Sequence, residues 1–83
     1  MHEAERWSVT IHIDEHEGRT RARAQVHTRD GAGPVAVGTA QLNPWEHDVP
    51  EIGDERAVAR ALAELGERLL EAAAADVEDV AGC

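Results

Sequence analysis

WSVTIHIDEHEGRTRARAQVHTR, residues 7–29, alternates apolar and polar side chains on both sides of a short polar interruption. Trp7, Val9, Ile11 and Ile13 take the odd places of the first half, against Ser8, Thr10, His12 and Asp14. A period of two with β-branched residues on one side specifies a half-buried strand. The second half repeats the pattern with Thr20, Ala22, Ala24 and Val26 on the apolar side. Arg19, Arg21, Arg23, Gln25, His27 and Arg29 fall on the other. Between them, Glu15 to Gly18 reads as a four-residue hairpin loop whose glycine supplies a positive φ. Closing that loop sets Asp14 opposite Arg19, Ile11 opposite Ala22 and Val9 opposite Ala24. The two apolar faces then coincide, which is the condition that fixes register. Large side chains on the first strand and small ones on the second leave a trough for a helix.

Beyond the hairpin, DGAGP (30–34) marks a second turn, and VAVGTAQL (35–42) supplies a third strand. Its inward face is not decided by so weak an alternation, and Gly38 marks either a bulge or a close backbone approach. Asn43 to Gly53 reads as a long connection punctuated by Pro44 and Pro50, whose apolar anchors Trp45, Val49 and Ile52 are expected to close the end of the core, with a partner-binding hot spot as the alternative. Asp54 serves as N-cap of an amphipathic helix on Val58, Ala61, Leu62, Leu65, Leu69, Ala72 and Ala73. Gly66 falls on its solvent side, and residues 77–83 read as a frayed tail. The expectation is a single α+β domain spanning residues 1–83. Three antiparallel strands at about 6–14, 19–29 and 34–42 carry a helix at about 54–76 on one face.

Composition narrows the chemistry. A chain of 83 residues buries only about 60% of its unfolded surface, so one modest core is the most it can build. Trp7 and Trp45 are the only aromatic residues, which leaves Val, Ile, Leu and Ala to form that core. All eight basic side chains are arginine, so Schiff-base chemistry and a P-loop ammonium are excluded. Net charge is −9, and from Asn43 onward eleven acids face Arg56, Arg60 and Arg68. Bulk DNA, duplex RNA and anionic membrane are therefore not expected partners. Cys83 is the only cysteine, the first residues lack an apolar leader, and no run matches a membrane span, which together point to the cytoplasm.

Candidate sites are few. His12 and His16 share a strand entering a turn rather than one side of a helix, and His27 falls near the far end of the sheet, so no metal site is expected. Ser8 lacks a nucleophile elbow, and the acidic loop of Glu46, His47, Asp48 and Glu51 has nothing to orient it. Neither a catalytic residue nor a cofactor is expected. What stands out is a bare sheet face. Arg19, Arg21, Arg23, Gln25, His27, Arg29 and His12 form its candidate interaction surface. Asp14 can pair Arg19 there, while Arg21 and Arg23 face His12 and Thr10 without a counter-charge.

HIDEHEGRTRARAQVHTRDG (12–31) and NPWEHDVPEIGDERAVARAL (43–62) resemble a family of short, uncharacterised bacterial proteins with a double-stranded-RNA-binding-domain-like fold. The second string is the more specific, because DVPEIGDE followed by an alanine-rich helix is an unusual combination. The resemblance implies no assigned enzymatic activity, a fold similar to ribosome-hibernation factors, and an association with stress or dormancy. RNA-binding members of the wider fold place lysines at the start of the helix after the third strand and use a helix before the first. Here that start reads Gly53, Asp54, Glu55, Arg56, and six residues precede Trp7. The overall expectation is a small homodimeric interaction module. A ribosome- or RNA-associated factor using the arginine row is the alternative.

Overall fold

In a computed structural model, which describes residues 4–46 and 49–81, three strands and one long helix follow one another along the chain. β1 spans Ser8–His16, β2 Arg19–Thr28 and β3 Gly31–Gln41; a 3₁₀ turn at Pro44–Glu46 leads to α1, Pro50–Ala81. The strands form one antiparallel sheet in the order β1-β2-β3. This is the expected α+β arrangement.

The β1–β2 hairpin is tighter than its sequence suggests. Only Glu17 and Gly18 stand between the strands, both with positive φ (51° and 76°), the conformation of a type I′ turn. Register therefore moves by two residues: His16 faces Arg19, Asp14 faces Arg21, His12 faces Arg23 and Ile11 faces Ala24. The expected Asp14–Arg19 pairing does not occur. Because the displacement is even, every side chain keeps its face. The primed turn matches strand twist well enough to outweigh the strain of a left-handed glutamate.

The second turn is also shorter than DGAGP implies. Thr28 Oγ1 accepts from the Asp30 amide at 3.2 Å and donates to the Gly31 carbonyl at 3.3 Å, so only Arg29 and Asp30 lie between β2 and β3. The spare residue becomes a bulge between Gln25 and His27, where Gly33 and Pro34 stand opposite Val26. Downstream of it, Ala36, Gly38 and Ala40 point inward, while Val35, Val37, Thr39 and Gln41 share the outer face with the arginines.

Gly38 marks a close backbone approach, not a bulge. A Cβ there would collide with the Ala57 carbonyl oxygen and the Ala61 amide nitrogen, both helix backbone. The helix rests directly on this gap. Gly53, Ala57, Ala61 and Leu65 form its buried line, against Ala22, Ala24, Val26, Ala36 and Ala40 of the sheet. Small residues on both sides let the two layers come together. The consequence is lateral: α1 packs on β3 and β2 and barely reaches β1. The expected trough over β1 is not where the helix lies.

α1 begins at Pro50, four residues before the expected cap at Asp54. Proline suits a first helical position because its missing N–H would have had no partner there. Ile52 donates to the Val49 carbonyl at 3.1 Å in the opening turn. The connection from Asn43 is correspondingly brief. Leu42, buried and donating its amide to the Gly18 carbonyl at 3.1 Å, closes that end of the core together with Gly53. Trp45 does not anchor it: the indole is 80% exposed, Val49 is 43% exposed, and only Ile52 is partly covered. At the other end the helix continues past the expected limit near 76, and every residue from Leu70 to Ala81 is exposed. Extents of 55 × 29 × 18 Å reflect that overhang.

Candidate functional site

Two surfaces remain open, one on each side of the sheet. The outer face displays Arg19, Arg21 and Arg23 on β2, next to His16, Asp14 and His12 on β1. Arg21 thus faces a carboxylate that the sequence assigned to Arg19. Among the described residues, none of these three arginines has an ion-pair or hydrogen-bond partner. Gln25 and His27 continue the row toward the bulge and are half-buried. Arg29 leaves it. Placed in the second turn, its guanidinium pairs with Glu5 at 3.4 Å. Val35 and Val37 add an apolar border opposite Gln25 and Arg23, which the weak alternation of β3 had concealed.

Histidines do not assemble. His12 and His16 share a face of β1 about 13 Å apart at the ~3.3 Å rise of a strand, and His27 stands opposite Ser8 at the far end. Among the described residues no three His, Cys, Asp or Glu side chains come together to hold a metal. Ser8 is exposed at the start of β1. His47, Asp48 and Cys83 lie outside the described residues, as does the side chain of Glu46.

The second surface lies on the helix side, and sequence periodicity does not reveal it. Arg60 donates to the Thr39 carbonyl of β3 at 2.7 Å, which fixes the rotation of α1. Its charged flank, with Arg60, Glu64, Glu67 and Glu71, faces the β3 side, and the flank with Val58, Leu62 and Leu69 faces β1. Ile11, Val58 and Leu69 touch the core from this side. Val9, Ile13 and Leu62 remain 44%, 45% and 43% exposed. They line an apolar trough between α1 and β1, with Trp7 at one end. A signal for it existed in the residue sizes: small side chains on β2 and β3 draw the helix away from the large ones on β1.

The molecule as a whole carries too much surface for its mass. Its accessible area is 6413 Å², whereas a compact 9.0 kDa monomer exposes about 4,900 Å². The radius of gyration is 16.5 Å against about 12 Å for a compact chain of this length. No helix among the described residues is long and apolar enough to cross a membrane.

A family described as Rv2632c-like matches residues 5–83. The uncharacterised protein MT1780 of Mycobacterium tuberculosis is 52% identical over 79 residues, covering 95% of this chain and 83% of that protein. The uncharacterised protein Rv2632c of Mycobacterium tuberculosis is 41% identical over 70 residues, covering 84% of this chain and 74% of that one. A crystal structure of Rv2632c superposes with a TM-score of 0.83 at 37% identity, covering 95% of this chain and 93% of that chain.

Proposed function

The chain belongs to the Rv2632c-like family, and from that premise we propose that it is a small, non-enzymatic interaction module that works as a homodimer in the cytoplasm, in a regulatory, stress or dormancy role. The observation that carries this reading is the surface excess of about 1,500 Å² over a compact monomer. A standard interface buries about 800 Å² per partner, so one contact of ordinary size would absorb half of it. The alanine-rich core argues the same way, because Ala22, Ala24, Ala36, Ala40, Ala57 and Ala61 bury little apolar area each. Association adds what the monomer lacks. Sedimentation equilibrium at micromolar concentration tests the proposal. A particle of twice 9.0 kDa supports it, and one that stays at 9.0 kDa refutes it.

A second reading rests on Arg19, Arg21 and Arg23, which have no ion-pair partner among the described residues and stand on an exposed face of the sheet. Such a row suits phosphate contacts and makes the chain a ribosome- or RNA-associated factor on a double-stranded-RNA-binding-like scaffold. Co-sedimentation with ribosomes that weakens with salt and disappears in Arg21→Ala/Arg23→Ala supports it. Absence of co-sedimentation at low salt removes it.

A further inference from the structure

We infer that the outer face of the sheet docks an acidic amphipathic helix of another protein, its carboxylates over Arg21 and Arg23 and its apolar edge over Val35 and Val37. This rests on the interaction-module reading and does not depend on whether the chain pairs with itself. Three observations converge on it.

The first is charge at a fixed spacing. Arg19, Arg21 and Arg23 project from β2, the middle strand, at intervals of about 6.6 Å for two residues of strand. Carboxylates at i, i+4 and i+8 of a helix recur every 6 Å or about that along its axis. A helix lying along β2 therefore presents one carboxylate to each guanidinium, and such pairs can be bidentate. Among the strand residues of this face Asp14, opposite Arg21, is the only carboxylate. Glu17 stands near Arg19 in the turn, 3.9 Å from His16. The least opposed end of the row is thus at Arg23, whose neighbour on β1 is His12. The acids of α1 lie behind the sheet, and a Debye length of about 8 Å at physiological ionic strength weakens their field at this face.

The second is an apolar strip at that same end. Val37 stands opposite Arg23 and Val35 opposite Gln25, and Val37 is 38% exposed. Arginine beside apolar side chains is the composition of a protein-binding surface. A phosphodiester chain gives the two valines nothing to pack against. The face also lacks a platform on which bases could stack, because both tryptophans lie outside the strands. These two features favour a protein over RNA as the occupant.

The third is hydrogen bonding. Ladder hydrogen bonds run within the plane of the sheet, so an extended segment laid across the face would leave its own N–H and C=O groups unmatched over the valines. A helix arrives with its backbone already satisfied. It would repeat on the outer side what α1 does on the inner, with the sheet between two helical layers.

The test is fluorescence anisotropy with labelled synthetic helices titrated with the full chain. One helix carries glutamates at i, i+4 and i+8 and leucines at i+3 and i+7. A second has the same composition with those residues scattered around the helix, and an oligouridylate is the third probe. The patterned helix is expected to bind about tenfold more tightly than the scattered one, with an affinity that falls as salt rises. Arg21→Ala/Arg23→Ala is expected to weaken it by about tenfold or more and Val37→Thr several-fold, with circular dichroism unchanged. Arg21→Glu/Arg23→Glu is expected to transfer the preference to a helix with lysines in place of the glutamates, a swap that loss of folding cannot mimic. Equal binding of both glutamate helices, or binding of neither, overturns the inference. So does an oligouridylate that binds more tightly than the patterned helix, which would favour the RNA reading instead. Sedimentation of the chain alone decides the dimer reading separately, so either reading can fail without the other.

Discussion

The two flanks of α1 are built on opposite principles. Toward β3, the helix backbone sits on Gly38 with alanines above and below, and Arg60 ties it to the Thr39 carbonyl. Toward β1, larger side chains stand further apart and stay partly wet: Val9, Ile13 and Leu62. Closeness and bulk are thus divided between the two sides. The packed flank fixes where the helix lies, and its fit leaves the apolar flank short of neighbours. Among the described residues there is no second α-helix to spend on the gap, and the homodimer proposed above would offer it a neighbour.

That contrast can be broken most forcefully at Gly38. Gly38→Ala places a methyl against helix backbone that cannot yield as a flexible side chain would, and a loss of about 3 kcal/mol or more in urea unfolding is expected. The same substitution at Gly66, where a Cβ meets nothing within 4 Å, should instead gain about 1 kcal/mol from helix propensity. Equal effects at both positions would refute the picture of a helix seated on the sheet at one point.

Thr20 sharpens the comparison from inside the packed half. Its hydroxyl is buried without a hydrogen-bond partner among the described residues, and a Cβ on Gly53 would lie 2.8 Å from it. Thr20→Val removes the unsatisfied oxygen at nearly constant volume and should stabilise the fold by about 1 kcal/mol in the same titration. A smaller gain, about 0.5 kcal/mol, is expected from Glu17→Asn or Glu17→Gly, which relieves the left-handed glutamate of the hairpin turn. The smallest effect belongs to the outer face. Arg21→Ala/Arg23→Ala should alter stability by less than about 0.5 kcal/mol, since among the described residues neither side chain has an ion-pair partner.

Much of this arrangement is legible in the residues themselves. Alternation from Trp7 to Val26 identifies both strands and their faces, and spacings of three and four from Val58 identify the helix. Turn lengths are less legible. A single glycine at position 18 serves a four-residue loop or a two-residue primed turn equally well, and only strand twist decides for the latter. The face of β3 is hidden because Ala36, Gly38 and Ala40 differ from Val35 and Val37 in size more than in polarity. Of the candidate surface, the arginine row was readable apart from Arg29, which a two-residue turn carries off the sheet to Glu5. The trough was not readable from periodicity, only from residue size. It arises from the lateral position of the helix, which depends on a backbone contact at Gly38 that no periodicity expresses.

The most direct test of the central claim, that this chain associates with a second copy, is isotope-filtered nuclear Overhauser spectroscopy on a mixture of labelled and unlabelled chains. The account predicts contacts between chains that involve methyl groups left exposed in the single chain, such as those of Val9, Ile13 and Leu62. Absence of any contact between chains at millimolar concentration would contradict it.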